Sequence, residues 1–384
     1  MLLAIRMSRH NIRLAITQKD THMSNTDIRV VPGPANYYSH RGSLAQLSDF
    51  YTPAQLSRAV WIYGERAIAA ARPYLPESFA APGAKQLLFT GHCSEHDVND
   101  LVQRAGDDRS VVIGLGGGAL LDTAKAVARR LGLPVVAIPT IAATCAAWTP
   151  LSVWYNDAGQ ALHFEIFNDA NFLVLVEPQI ILEAPVEYLL AGIGDTLAKW
   201  YEAVVLAPEP ENLPLTVRLG INGALAIRDV LLEKSEEALA DQQRGELTQA
   251  FRDVVDAIIA GGGMVGGLGE RYTRVAAAHA VHNGLTVLPQ TDKFLHGTKV
   301  AYGILVQCAL LGQDEVLAQL VAAYQRFNLP TTLAALEVDI HNHSELDKVI
   351  THTLRPVESI HYLPVTLSAD TLRAAFEKVE SFRK

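Results

Sequence analysis

Between residues 59 and 177, short runs of β-branched and aliphatic residues alternate with stretches whose apolar positions recur at helical spacing. The runs are AVWIYG (59–64), KQLLFTG (85–91), SVVIGLGGG (110–118), PVVAIPT (134–140) and NFLVLVE (171–177). This rhythm predicts a parallel sheet with crossover helices. Between the last two runs, LSVWYNDAGQALHFEI (151–166) carries Asn156, Asp157 and Gly159 between two apolar-rich arms, a hairpin signal inside the sheet domain. From Pro185 onward the β-branched clusters give way to Ala-, Leu- and Glu-rich stretches, and the spacing predicts helices over 187–205, 214–232, 244–260 and 370–381. The chain therefore divides into an α/β domain over residues 23–186 and an all-α domain over residues 187–384. A cleft between two such lobes is a common place for a ligand.

Residues 1–22 lack this patterning, and Arg6, Arg9 and Arg13 interrupt their apolar positions, so they read as a disordered extension ahead of Met23. No apolar run approaches the ~18 residues of a membrane span. Net charge is -9 with no basic block, which argues against nucleic acid and leaves a small molecule as the expected partner. Three widely separated cysteines, Cys93, Cys145 and Cys308, fit a reducing cytoplasm better than a disulfide framework.

The stretch VVIGLGGGALLDTAKAVARRLG sets Gly114, Gly116, Gly117 and Gly118 between a strand and an amphipathic helix that carries Asp122 and Lys125. Adjacent glycines let a backbone approach a diphosphate, and the helix start offers free N–H groups, so the turn is a candidate pyrophosphate site. The bland alternative is a tight strand-to-helix turn. A strand-end carboxylate selects against the 2′-phosphate of NADP, whereas an arginine accepts it. At the end of AVWIYGERA the chain has Gly64 and Arg66, favouring NADP(H) over NAD(H), with Glu65 as the contrary sign.

AAAHAVHNGLTVLPQTDKFLHG holds His279, His282 and His296, and LLAGIGDTLAKWYEA supplies Asp195 in an apolar stretch. One carboxylate with two imidazoles would make a three-ligand catalytic metal site with an open position. Hydrogen-bonded core histidines, and Asp195 as a helix N-cap after Gly194, are the competing readings.

Taken together, GLGGGALLDTAKAVA, IPTIAAT leading to LSVWY, AGIGDTLAKWYEA, AAAHAVHNG, LHGTKVAYG and ESIHYLP resemble the glycerol dehydrogenase branch of the iron-containing (group III) alcohol dehydrogenases. The resemblance implies a dehydroquinate synthase-like fold, a homo-oligomer, and one divalent metal on Asp195, His279 and His296, zinc in preference to iron. It places Gly116, Gly117, Gly118, Asp122, Thr140, Thr144, Thr149, Leu151 and Tyr155 at the cofactor. His282 would lie off the metal as a proton relay, a role that an ordinary histidine pKa of about 6.5 suits near neutral pH.

Three departures from that family pattern bear on substrate. Cys145 stands where glycerol dehydrogenases carry an aspartate for the polyol, and Gly64 stands where they carry the NAD-selective aspartate. Lys199 occupies the place of a fourth ligand histidine. Its i+4 spacing from Asp195 puts it on the same helix face, either as an ion-pair partner or as a cation for a substrate carboxylate. The expectation is a metal-dependent, NADPH-favouring reductase of small 2-oxo acids to 2-hydroxy acids. A polyol dehydrogenase using NAD is the alternative, followed by a lyase on the same fold or a nucleotide-binding protein without activity.

Overall fold

The described residues form eight short strands, most of them at the apolar runs of the sequence. They are β1 (Asn36–Ser39), β2 (Val60–Tyr63), β3 (Lys85–Leu88), β4 (Val112–Gly116), β5 (Val135–Pro139), β6 (Leu151–Tyr155), β7 (Ala161–Ile166) and β8 (Leu173–Val176). A computed structural model describes residues 28–157 and 159–382; the expected N-terminal extension lies outside them. Six strands make one parallel sheet in the order β1-β8-β5-β4-β2-β3, with crossover helices α1 (Glu65–Ala71), α2 (Glu95–Ala105) and α3 (Gly118–Leu131). Strand β1 carries no signal in the sequence. NYYS has no β-branched residue and pairs only with β8, at the sheet edge. The hairpin of β6 and β7 forms as expected but stands apart as its own two-stranded antiparallel sheet.

Both faces of the parallel sheet are buried, as its near-continuous apolar strands require. One face carries Trp61, Ile113, Leu115, Val136 and Ile138 against Leu44, Leu47 and Leu56. The other carries Val60, Ile62, Val112, Ala137 and Val174 against Leu121, Ala124 and Val127 of α3. That second core runs on without a break into the helical half.

There the helices are α4 (Val186–Leu206), α5 (Leu215–Arg244), α6 (Gln249–Asp256), α7 (Gly262–Gly269), α8 (Ala277–Leu285), α9 (His296–Leu310), α10 (Asp314–Phe327), α11 (His343–Thr353) and α12 (Ala369–Ser381). Helix α5 continues well beyond residue 232, to a left-handed C-cap at Gly245 (φ 70°). The helix expected over 244–260 is instead α6 followed by a π turn, Ala257–Gly261. No helix among the described residues is long and apolar enough to cross a membrane.

Candidate metal centre and cofactor cleft

Helix α4 packs directly on α9, because Gly194 faces the Gly297 carbonyl and Gly297 faces that of Ala191 with no side chain between them. A Cβ on either glycine would collide with backbone. The close approach brings Asp195, inside α4, against His296 at the start of α9 and His279 of α8. Asp195 is therefore not a helix N-cap. Its Oδ1 lies 3.4 Å from His279 Nε2 and 3.3 Å from His296 Nε2, and one donor atom from each of the three residues falls within a 4.8 Å cluster. Asp195 and His279 are nearly buried, while the His296 side chain is 43% exposed, so the centre opens toward solvent on that side.

Each imidazole is held from behind. Glu202, fully buried and also on α4, takes a hydrogen bond from His279 Nδ1 at 2.7 Å and accepts from the backbone N–H groups of Ala276 and His279. Its charge fixes the tautomer that turns His279 Nε2 toward Asp195. Burial by itself would raise the Asp195 pKa, but hydrogen bonds from His279 and His296 hold it well below the usual carboxylate range. Burial would likewise lower that of His279, yet Glu202 and Asp195 raise it to about 9. A buried carboxylate and two imidazole nitrogens converging on one point fit a divalent ion of the zinc type.

His282 stays out of that triad. Its Nε2 is 3.0 Å from His296 Nδ1, and its Nδ1 is 3.0 Å from the Asn283 side-chain oxygen. Asn283 in turn donates to Glu358, which pairs with Arg355. Burial and the neighbouring His296 push the His282 pKa well below its ordinary value. Both ring nitrogens have partners, and the ring buttresses His296.

Cys145 and Lys199 converge on the same cleft. The Lys199 and Asp195 charges both act on the Cys145 thiol, and a Cβ at Gly262 would touch both Cys145 and Thr196 at 3.5 Å. Lys199 forms no ion pair with Asp195 or with any other described residue, so the surface-pair alternative is set aside.

Across the cleft the glycine turn lies where β4 meets α3. Gly117 is the N-cap and contributes no side-chain bond, so the first N–H groups of α3 stay open. A Cβ at Gly118 would press on Thr144 Oγ1 at 3.3 Å, and Thr140 N–H bonds the Gly116 carbonyl at 3.1 Å, which gathers both threonines at the turn. Gly64, at the end of neighbouring β2, borders the same turn through Leu120, and Arg66 beside it is exposed. Successive strands are added to one side of β2 by β3 and to the other side by β4, so the strand order switches between β2 and β4, the usual crevice for a nucleotide. The open helix start and bare glycines fit a dinucleotide diphosphate.

Asp122 departs from its expected place at the cofactor. Its carboxylate is buried, pairs with Lys125 Nζ at 2.9 Å and accepts the Val153 N–H at 3.1 Å. Lys125 also donates to the carbonyls of Ala146, Thr149 and Leu151, tying α3 to the segment that leads into β6. The backbone carbonyls of Thr149 and Leu151 are thereby tied to α3. The Tyr155 ring centroid lies 5.9 Å from that of His92.

The profile of the iron-containing alcohol dehydrogenase family matches residues 34–178. Hydroxycarboxylate dehydrogenase A of Escherichia coli (strain K12) is 80% identical over 361 residues, covering 94% of this chain and all of that one. The chain belongs to the iron-containing alcohol dehydrogenase family. Its branch is the glycerol dehydrogenase-like one: the Thermotoga maritima glycerol dehydrogenase is 33% identical over 91% of this chain and 96% of its own. The crystal structure of glycerol dehydrogenase from Schizosaccharomyces pombe superposes with a TM-score of 0.80 at 29% identity, covering 93% of this chain and 91% of that one. Like its relatives, this chain is an oxidoreductase acting on CH–OH groups, in a family that uses a nicotinamide cofactor and a divalent metal.

In this family member two supporting residues lay outside the sequence reading. Glu202 follows Asp195 by seven residues, hence on the same helix face, and that spacing in an apolar helix was the available signal. Gln307 had none. Its side chain caps α8 by accepting from Ala277 and Ala278 N–H while donating to the Tyr201 carbonyl.

Proposed function

We propose that this dehydrogenase reduces small 2-oxo carboxylic acids to 2-hydroxy acids, with NADPH preferred as donor. The observation that carries the reading is Lys199, an unpaired cation one turn along α4 from the ligand Asp195 and beside Cys145. Asp195, His279 and His296 would hold the divalent cation, zinc in preference to iron, since Lys199 occupies the helix position one turn from the carboxylate ligand. When bound, that cation polarises the substrate carbonyl and the nicotinamide supplies hydride.

The chain's own residues orient and bind. Glu202 fixes the His279 tautomer, His282 holds the His296 ring, and Lys199 takes the substrate carboxylate by a charge-assisted bond. Cys145 leaves that region without the negative charge that would repel an acid. The glycine turn and Thr144 receive the diphosphate, while Gly64 and Arg66 leave room and charge for a 2′-phosphate. The proton that completes the alcohol would come from solvent, or through His282, which is hydrogen-bonded to both His296 and Asn283.

The alternative, polyol oxidation with NAD, draws on the glycerol dehydrogenases among the relatives. An assay of pyruvate, other 2-oxo acids, acetaldehyde and glycerol with NADPH and NADH, on metal-reconstituted protein, separates the two. Highest kcat/KM on a 2-oxo acid is expected; glycerol with NAD as the preferred pair would overturn the reading.

A further inference from the structure

One more cation precedes the helix that carries His279. The turn joining α7 to α8, Glu270–Thr273, opens on Glu270 with a positive φ (φ 50°, ψ -130°), which a residue with a bulky side chain adopts only under strain. Thr273 pins the turn by donating from its buried hydroxyl to the Val265 carbonyl at 2.8 Å. Next along the chain is Arg274, just ahead of the metal-binding helix.

Arg274 is half-buried, and its Nε is shut off from solvent with no hydrogen-bond partner. Among the described residues it forms no ion pair. The nearest acid of its own turn, Glu270, is taken by Arg271 at 3.1 Å. Arg274 lies within electrostatic reach of Glu270 and of the Cys145 thiol, and Cys145 is in turn within reach of Lys199 and Asp195. A partly desolvated guanidinium without a counter-ion is costly, and a carboxylate offers the forked acceptor that satisfies it.

We infer that Arg274 binds the carboxylate of the substrate, as a second cation beside Lys199 and Cys145. The inference deepens the 2-oxo acid reading and rests on it. The strained turn is the structural cost of placing a guanidinium there. Arginine suits the role better than lysine, because two parallel N–H donors fix the plane of the carboxylate and hence of the adjoining carbonyl.

The test compares pyruvate with acetaldehyde, the same carbonyl without its carboxylate, in wild type, Arg274→Met and Arg274→Lys, each checked for bound metal and NADPH affinity. Arg274→Met should raise KM for pyruvate about 10- to 100-fold more than for acetaldehyde. Arg274→Lys, which keeps the charge and loses the fork, should fall between it and wild type. Equal changes for both substrates in both variants would overturn the assignment. Should wild type itself show no preference for pyruvate over acetaldehyde, the 2-oxo acid reading fails and takes Arg274 with it. If wild type keeps that preference and Arg274→Met keeps it too, only the role of Arg274 fails.

Discussion

Glu202 and His279 form a buried carboxylate–imidazole pair, 2.7 Å apart, behind the metal centre. The same carboxylate accepts two backbone N–H groups at the start of α8, so ligand orientation and helix entry share one anchor. Glu202→Gln keeps an acceptor but removes the charge. Zinc affinity should fall about 10- to 100-fold, read by competition with a chromophoric chelator. Unchanged affinity would show that His279 needs no charged partner.

The metal-free centre should respond to pH through His279. Its pKa is raised to about 9, so the stability it contributes is complete below the unfolded value near 6.5 and lost as pH rises through about 9. A bound cation displaces that proton, so apparent zinc affinity should climb with pH and level off above about 9. Thermal melts of metal-free and zinc-loaded protein across that range check both signs. A metal-free protein equally stable at the two ends would contradict the pairing.

Lys125→Met leaves Asp122 buried without its cation and three carbonyls without their donor. Breaking such a pair should cost about 3–5 kcal/mol of stability, seen as a lower urea midpoint. NADPH should also bind more weakly, because the segment from Ala146 to Leu151 loses its tie to α3. A variant with wild-type stability would mean that hairpin and helix are fastened elsewhere.

Gly64→Asp tests the cofactor reading. A Cβ there meets Leu120 Cδ1 at 3.7 Å and Ala67 Cβ at 3.9 Å, ordinary contacts, so a side chain fits. The new carboxylate should lower the kcat/KM ratio of NADPH to NADH by about 10-fold or more. A ratio that does not move would place the 2′-phosphate away from this strand end.

The parallel sheet was legible because strands buried on both faces must be apolar throughout, and β2, β4, β5 and β8 are. Strand β1 was hidden because an edge strand of Asn, Tyr and Ser needs no such composition. The end of α5 was missed because its last turns, EKSEEALADQQR (233–244), hold strong helix formers but a thinner apolar stripe. In the centre, Asp195, His279 and His296 stood out as polar residues in apolar surroundings. Glu202 was hinted at only by its spacing. Arg274 gave no sign, since its meaning lies in the partners it lacks, and that is a property of the folded chain. The inward turn of Asp122 was hidden for the same reason: a sequence shows the carboxylate near the glycines but not which way the helix points it.

The backbone contact between Gly194 and Gly297 acts as a ruler for the centre. The distance from Asp195 to His296 is set by two main chains touching, with no deformable side chain to lengthen it. Substitutions at Cys145, Lys199, Arg274 and Gly64 should therefore leave the spacing of Asp195 and His296 unchanged. A mutational scan should find these two chemically inert glycines among the least replaceable residues of the protein.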